Sequence, residues 1–217
     1  MQIIPENKWY DAEDKRFKPG NILYNPRHFD EIQVIDKESG KIVAKISSKE
    51  EKGFSNGHEP TMIAKGLAGE CNVLFFDNGA LPKTMVHVGA THLYEIDLTT
   101  NETVWKFSNR GKRGALFSQV MGSIAKLPNG NILVSEDAAG RTLQIKPAEK
   151  EGGEIVWEYQ APFTVARSSL YDYDYCPQLK AMPKPEMKRV SPFPLDSFKV
   201  LPDEERKDGN VTAVIAK

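Results

Sequence analysis

The chain has 217 residues, 40% of them hydrophobic and 9% aromatic, which is enough for one large domain or two small ones with a buried core. Its 29 lysines and arginines nearly balance 30 aspartates and glutamates, so the formal charge of −1 provides no general attraction to nucleic acid or to an anionic membrane. The absence of a run of about 18 apolar residues excludes a transmembrane helix, and residues 1–8 lack the basic and apolar stretches of a signal peptide. We therefore expect neither a nucleic-acid partner nor membrane insertion.

Short β-branched and aromatic runs, bounded by turn residues, predict antiparallel strands along the chain. The pattern repeats three times, beginning with Asn21, Asn72 and Asn131, so its period is roughly 50 to 60 residues. The predicted strands are 2–4, 21–24, 31–36 and 40–46 in the first unit; 61–65, 72–76, 93–97 and 102–107 in the second; and 123–127, 131–134, 141–145 and 154–159 in the third.

Four antiparallel strands per unit is the plan of a β-propeller blade, and this repeat predicts an all-β propeller. The blades are expected at 1–160, divided approximately into 1–52, 53–109 and 110–160. Residues 161–217 are rich in proline and predict an extension or an irregular partial blade, with a final strand at 211–215.

In such a unit, the loop into the first strand and the loop between the second and third strands emerge at the same edge, where functional groups gather. One alternative for His58 is a plain loop histidine, and one for the basic loop around Arg110 and Arg113 is a solvated turn. Trp105 and Trp157 occupy equivalent strand positions and predict packing between blades. The polar candidates at this edge are Arg27, His28, His58, Glu59, Asp77, Asn78, His92, Arg110, Arg113, Glu136, Asp137, Arg141 and Arg167.

Neither a metal site nor a cofactor motif is predicted. Histidines and carboxylates do not occur in threes at ligand spacing, and phosphate-binding or dinucleotide-binding glycine motifs are lacking. Cys71 and Cys176 are too few for a structural zinc site. Two buried thiols are favoured over a disulfide, but the spacing leaves both possibilities open.

Several ordered motifs together resemble the arylsulfotransferase family over roughly residues 7–180. They are 7–11 (NKWYD), 58–67 (HEPTMIAKGL), 72–79 (NVLFFDNG), 94–97 (YEID), 127–133 (LPNGNIL), 154–159 (EIVWEY) and 175–179 (YCPQL). The resemblance implies a six-bladed propeller, of which this chain is similar to a C-terminal portion of about three to four blades. It also implies a periplasmic or extracellular location.

The resemblance further implies transfer of a sulfuryl group from an aryl sulfate to a phenol through a transiently sulfated histidine, without a cofactor. His58 matches the family histidine that precedes the strand at 72–76, and Arg141 matches an arginine at the start of a third strand. The sulfate-binding partners expected beside them are Arg27, His28, Asn78, His92, Arg110 and Arg113. The partners are thus a small aromatic sulfate and a phenol.

The sequence also leaves two alternatives open. No histidine follows His92, which favours a catalytically degenerate propeller that binds a ligand or protein without turnover. The second alternative is a truncated propeller that closes by self-association or with a partner half.

Overall fold

A computed structural model describes residues 1–47, 55–79, 91–109 and 115–184, together with two short strands near the C-terminus. The chain divides into two compact units, Met1–Leu170 and Tyr171–Lys217. Within the described residues, no helix is long and apolar enough to cross a membrane.

The first unit contains three sheets, each of four consecutive antiparallel strands. This arrangement confirms the predicted all-β class and the four-stranded repeat. The first sheet comprises β1 (Gln2–Ile3), β2 (Ile22–Tyr24), β3 (Glu31–Ile35) and β4 (Ile42–Ser47). The second comprises β5 (His58–Met62), β6 (Val73–Asp77), β7 (His92–Asp97) and β8 (Glu102–Phe107). The third comprises β9 (Ser123–Lys126), β10 (Ile132–Glu136), β11 (Arg141–Pro147) and β12 (Gly153–Gln160).

Helical segments in this unit are short. Helix α1 spans Lys8–Asp11 and begins at Asn7, whose side chain accepts a hydrogen bond from the Tyr10 N–H. Single 3₁₀ turns occur at Lys15–Phe17, Arg27–Phe29 and Asp137–Ala139. The last two lie between the second and third strands of their sheets.

Strand β5 begins earlier than predicted. The sequence places the strand at 61–65 with His58 in the loop before it, whereas His58 is the first residue of β5 and Met62 the last. His58 pairs with Phe76 and Thr61 pairs with Leu74, with a bulge between the two pairs. Glu59 has a left-handed φ of 45° at this bulge. The bulge interrupts the two-residue alternation from which strands are predicted.

The second sheet is buried on both faces, which explains why every residue of β6 is buried. Val73 and Phe75 pack with Leu23, Ile32 and other side chains of the first sheet. On the opposite face, a second cluster joins the second and third sheets; it includes Leu74, Phe76, Trp105, Phe107, Ile132, Val134, Leu143 and Ile145. The sheets therefore pack face to face in chain order.

The second unit contains helix α2 (Pro177–Lys180) and a two-stranded antiparallel sheet formed by β13 (Phe198–Lys199) and β14 (Val214–Ile215). Strand β14 falls within the predicted final strand at 211–215. The rings of Tyr171 and Tyr175 lie 4.4 Å apart. Both cysteines of the chain are free thiols.

Candidate functional site

The strand register brings an acidic and a basic residue together at the same place in two sheets. Glu136, the last residue of β10, pairs across the ladder with Arg141, the first residue of β11. Asp77, the last residue of β6, pairs in the same way with His92, the first residue of β7. The two cross-strand pairs lie at the edge of the sheets where the sequence predicts functional groups.

Arg141 is held by several acceptors. Its Nε lies 2.5 Å from Glu136 Oε2, its Nη1 lies 3.5 Å from Glu158 Oε1, and its Nη2 donates to the Ala115 carbonyl at 3.4 Å. Burial raises the pKa of Glu136, while the Phe117 N–H and the Arg141 guanidinium lower it. These contacts give Arg141 a structural role in joining the strands of the third sheet.

The Asp77 carboxylate is the counterpart of Glu136 and is almost fully buried. Its Oδ1 accepts hydrogen bonds from the N–H groups of Ser55 (2.8 Å) and Gly79 (3.0 Å), and its Oδ2 lies 3.8 Å from His92 Nδ1. Burial raises the pKa of Asp77 to about 7, although the two main-chain donors act in the opposite direction. Asp77 therefore orders the loops that flank β5 and β6.

His58 makes the best-defined side-chain contact among the predicted site residues. Its Nδ1 lies 2.6 Å from Oδ1 of Asn78, a fully buried side chain. The Asn78 Nδ2 donates to the carbonyls of Ser118 and Met121, both at 2.8 Å. Because two carbonyls accept from Nδ2, the orientation of the amide is determined and Oδ1 must accept from His58. The neutral imidazole therefore carries its proton on Nδ1 and its lone pair on Nε2.

Burial lowers the pKa of His58, and the neighbouring positive charge of Arg27 lowers it further. The hydrogen bond to Asn78, the main chain of Asn56 and the charge of Asp137 act in the opposite direction. The net effect keeps the imidazole neutral at pH 7. A neutral imidazole with a lone pair on Nε2 is chemically a nucleophile or a general base.

Three side chains near this site occupy one position of the repeat. Arg27, Asn78 and Asp137 each follow the second strand at the same distance from Asn21, Asn72 and Asn131. Asn78 contacts His58, and Arg27 and Asp137 both influence its pKa. Comparison of the three repeats could have identified Asp137 as the third member of this set.

Arg27 and His28 lie in the 3₁₀ turn after β2 but differ in environment. His28 is exposed, whereas Arg27 is half-buried. Among the described residues, no group accepts a hydrogen bond from the buried Nε of Arg27. The structure thus brings Arg27, His58 and Asn78 together and leaves His28 at the surface.

Asp137 is fixed by its own contacts. Its Oδ2 accepts from the Gly122 N–H at 2.8 Å, and its Oδ1 accepts from the Ser135 hydroxyl. Its side chain is fully buried. Asp137 therefore contributes a fixed negative charge near His58.

An ion pair at the edge of the site joins Arg167 to Glu59, the residue after His58. Burial raises the pKa of Glu59, and the Arg167 charge lowers it. Arg167 lies on the segment after β12, so this contact ties that segment to the start of β5. Glu59 and Arg167 were each predicted at this edge of the sheets, but their ion pair was not, because it joins segments far apart in sequence.

Of the remaining predicted residues, the structure places His92 and Arg141. Arg110 and Arg113 fall outside the described residues. His92 and Arg141 belong to the two cross-strand pairs rather than to the His58 cluster. Within the described ranges, no three histidine, cysteine, aspartate or glutamate side chains are arranged to hold a metal ion. A cavity of about 40 Å³ lies between the first and second sheets and is lined by other residues, among them Arg16, Ile46 and Asn101.

Comparison with known families shows one family that matches most of the chain. The family described as Arylsulfotransferase (ASST) matches residues 7–162, which include strands β2 to β12 and the His58 cluster. A comparison with curated proteins gave no significant match.

Proposed function

The chain belongs to the arylsulfotransferase family, and from this membership we propose that it transfers a sulfuryl group from an aryl sulfate to a phenol, with His58 as the nucleophile. The observation that supports this role most directly is the hydrogen bond from His58 Nδ1 to Asn78 Oδ1. It leaves the nucleophilic lone pair on Nε2.

In the first step of the proposed reaction, His58 Nε2 attacks the sulfur of the donor. The N–S bond forms while the bond between sulfur and the aryl oxygen breaks, and the phenolate leaves with the electron pair. The ring then carries a positive charge that the Asn78 Oδ1 stabilises through the Nδ1 proton. In the second step the acceptor phenol attacks sulfur, the N–S bond breaks and His58 becomes neutral again. The proton lost by the acceptor balances the proton gained by the released phenolate.

Arg27 is the proposed cationic partner of the sulfate oxygens. Its guanidinium is near enough to His58 to lower the histidine pKa, and its buried Nε makes no hydrogen bond within the described part of the chain. A guanidinium in this position would stabilise the charge that develops on the transferring group. Arg110 and Arg113 remain candidates for the same role.

We also propose that the three sheets are blades of a β-propeller. The face-to-face packing of consecutive four-stranded sheets supports this arrangement. The site then lies at the blade edge to which β5 and the loops after β2, β6 and β10 contribute.

The second candidate function is binding of an aryl sulfate without turnover. It is favoured by the composition of the site, because His58 is the only histidine in the cluster within the described residues. His92 is paired with Asp77, and His28 is exposed.

Release of a chromogenic phenol from its sulfate ester, with a second phenol as acceptor, tests the proposal. We expect turnover by the wild-type protein, loss of turnover in His58→Ala, and unchanged turnover in the control His28→Ala. Equal rates in His58→Ala and the wild type would refute the nucleophile. Saturable binding of the ester without phenol release would establish the second candidate instead.

A further inference from the structure

Each sheet of the first unit has two different faces, because cross-strand partners point to the same side. On the second sheet, Trp105 and Phe107 lie on the face toward the third sheet and are 2% and 3% exposed. The Trp105 indole donates to the Gly152 carbonyl, in the turn between β11 and β12, at 2.9 Å. This face is the one that receives the following sheet.

The third sheet has aromatic residues at the equivalent positions, but there they are exposed. Trp157 pairs with Gln144 and Tyr159 with Thr142, as Trp105 pairs with Glu95 and Phe107 with Leu93. In each sheet the tryptophan ring stacks on the second aromatic ring, Phe107 in the second sheet and Tyr159 in the third. Trp157 is nevertheless 36% exposed and Tyr159 54% exposed. The outer strand of this face is therefore uncovered at Trp157 and Tyr159, whereas Ser135 and Thr142 on the same face are buried.

The first sheet has the complementary face. Ile3, Ile22, Ile35 and Ile42 form one row across β1 to β4, on the side that points away from the second sheet. Ile3 is 57% exposed and Ile42 is 53% exposed. By register, Ile42 corresponds to Ile155 of the third sheet. Ile155 packs in the cluster that contains Trp105.

We propose that two copies of this chain associate head to tail, with the isoleucine row of each first sheet covering Trp157 and Tyr159 of the other copy's third sheet. Both members of the matching pair are present on every chain, so a second copy supplies a partner for each face that the described residues leave exposed. Two copies of the three four-stranded sheets described make six, within the range of about four to eight blades that close a propeller. Heterologous contacts of this kind form a closed ring when the rotation closes.

The segment after β12 is compatible with this contact. Its Ser168 hydroxyl lies 2.6 Å from the Thr142 hydroxyl and 3.1 Å from that of Ser135, at the end of the open face near the candidate site. Trp157 and Tyr159 remain exposed beside it. The proposal does not depend on sulfuryl transfer, because it rests on the sheet faces alone.

Sedimentation of the full chain tests the association. We expect a mass about twice the 24.3 kDa of the chain. Ile42→Glu and Tyr159→Glu each place a charge on one of the two faces and should convert the dimer to a monomer. The matched control is Val104→Glu, on the outer strand of the middle sheet, where Val104 is 41% exposed; it should remain dimeric. Circular dichroism shows whether each variant is folded, and Ile3→Glu provides a second variant of the isoleucine row.

Mixing the two variants tests the head-to-tail geometry. A mixed dimer of Ile42→Glu and Tyr159→Glu has one interface with both charges and one with neither. We therefore expect dimers in the mixture at concentrations where each variant alone is monomeric. A monomeric wild-type protein would overturn the proposal, whether residues 171–217 or another protein covers the faces. A dimer lost in Tyr159→Glu but retained in the variants of Ile3 and Ile42 would also overturn it, because like faces would then be in contact.

Discussion

His58 and Asn78 form a hydrogen bond of 2.6 Å. The other contacts of Asn78 determine that His58 is the donor. The Asn78 Nδ2 is committed to two main-chain carbonyls in the loop before β9. Its Oδ1 is therefore the acceptor, and the histidine proton must be on Nδ1. The loop of the third sheet thus sets the tautomer of a histidine on the second sheet.

Replacement of Asn78 by alanine should lower kcat of the proposed reaction about 10-fold or more, with a smaller effect on KM. The variant lacks the acceptor that orients His58. Since that hydrogen bond raises the pKa of His58, the acid limb of the pH–rate profile should also move to lower pH. Steady-state kinetics across pH measures both effects. Gln119→Ala, which removes an exposed amide nearby, should change neither; an unaltered pH profile in Asn78→Ala would argue against a positioning role.

The buried state of His58 predicts a specific loss of stability in acid. Its pKa is below the ordinary value of 6.5, so the unfolded chain binds the proton more readily than the folded chain. The free energy of unfolding should therefore decrease as the pH falls below 6.5 toward the folded-state pKa. Urea denaturation at several pH values measures this slope. The slope should be smaller in His58→Gln and unchanged in His28→Gln; equal slopes in all three proteins would contradict the prediction.

For Asp77 we expect the free energy of unfolding to change with pH in the opposite direction. Its pKa is raised from 3.8 to about 7, so the folded protein binds the proton more tightly in this range and loses stability as the pH rises toward 7. In Asp77→Asn the side-chain oxygen can still accept from Ser55 and Gly79, but no charge is buried. We expect this variant to be more stable than the wild type by at least about 1 kcal/mol at pH 8, with little difference at pH 4.

Urea denaturation at the two pH values measures the effect of Asp77→Asn. The control Asp97→Asn, at the end of β7, should retain the wild-type pH dependence. A destabilised Asp77→Asn at pH 8 would show that the charge itself is needed.

Most of the fold could be predicted because the strands are short, apolar and bounded by turns. The repeat of Asn21, Asn72 and Asn131 indicates three equivalent units, and the structure has three equivalent sheets. The start of β5 could not be predicted, because the bulge at Glu59 breaks the alternation. That error displaced His58 from a strand into a loop.

The candidate site was only partly predictable. Sequence equivalence places Arg27, Asn78 and Asp137 at one position of the repeat. The hydrogen bond between His58 and Asn78 depends on the register across the bulge, and the commitment of Arg141 to Glu136 depends on the packing around β11. Neither contact leaves a signal in local sequence patterns.

Gly57 precedes His58 in the chain and packs against Phe75 of the core. A Cβ at this position would overlap the ring of Phe75, which is buried between the first and second sheets. Gly57→Ala should therefore destabilise the protein by about 1–3 kcal/mol and disturb the adjacent His58. The double variant Gly57→Ala/Phe75→Leu removes the overlapping ring atoms and should recover part of the loss. Thermal unfolding of the single and double variants measures the recovery, which would be missing if the overlap were not the cause.

Variants of Arg141 test whether this residue stabilises the third sheet or binds the sulfate. Arg141→Met leaves the buried Glu136 carboxylate without its main charge partner and should cost about 3–5 kcal/mol of stability. In Glu136→Gln/Arg141→Met neither charge is buried, so much of the stability should return. Chemical denaturation of both variants measures this difference. If Arg141 only stabilises the third sheet, KM for the aryl sulfate in the stable double variant should stay within about 3-fold of the wild-type value. Loss of a sulfate contact of about 1.4 kcal/mol would instead raise KM about 10-fold. A large rise in KM without loss of stability would instead place Arg141 against the substrate.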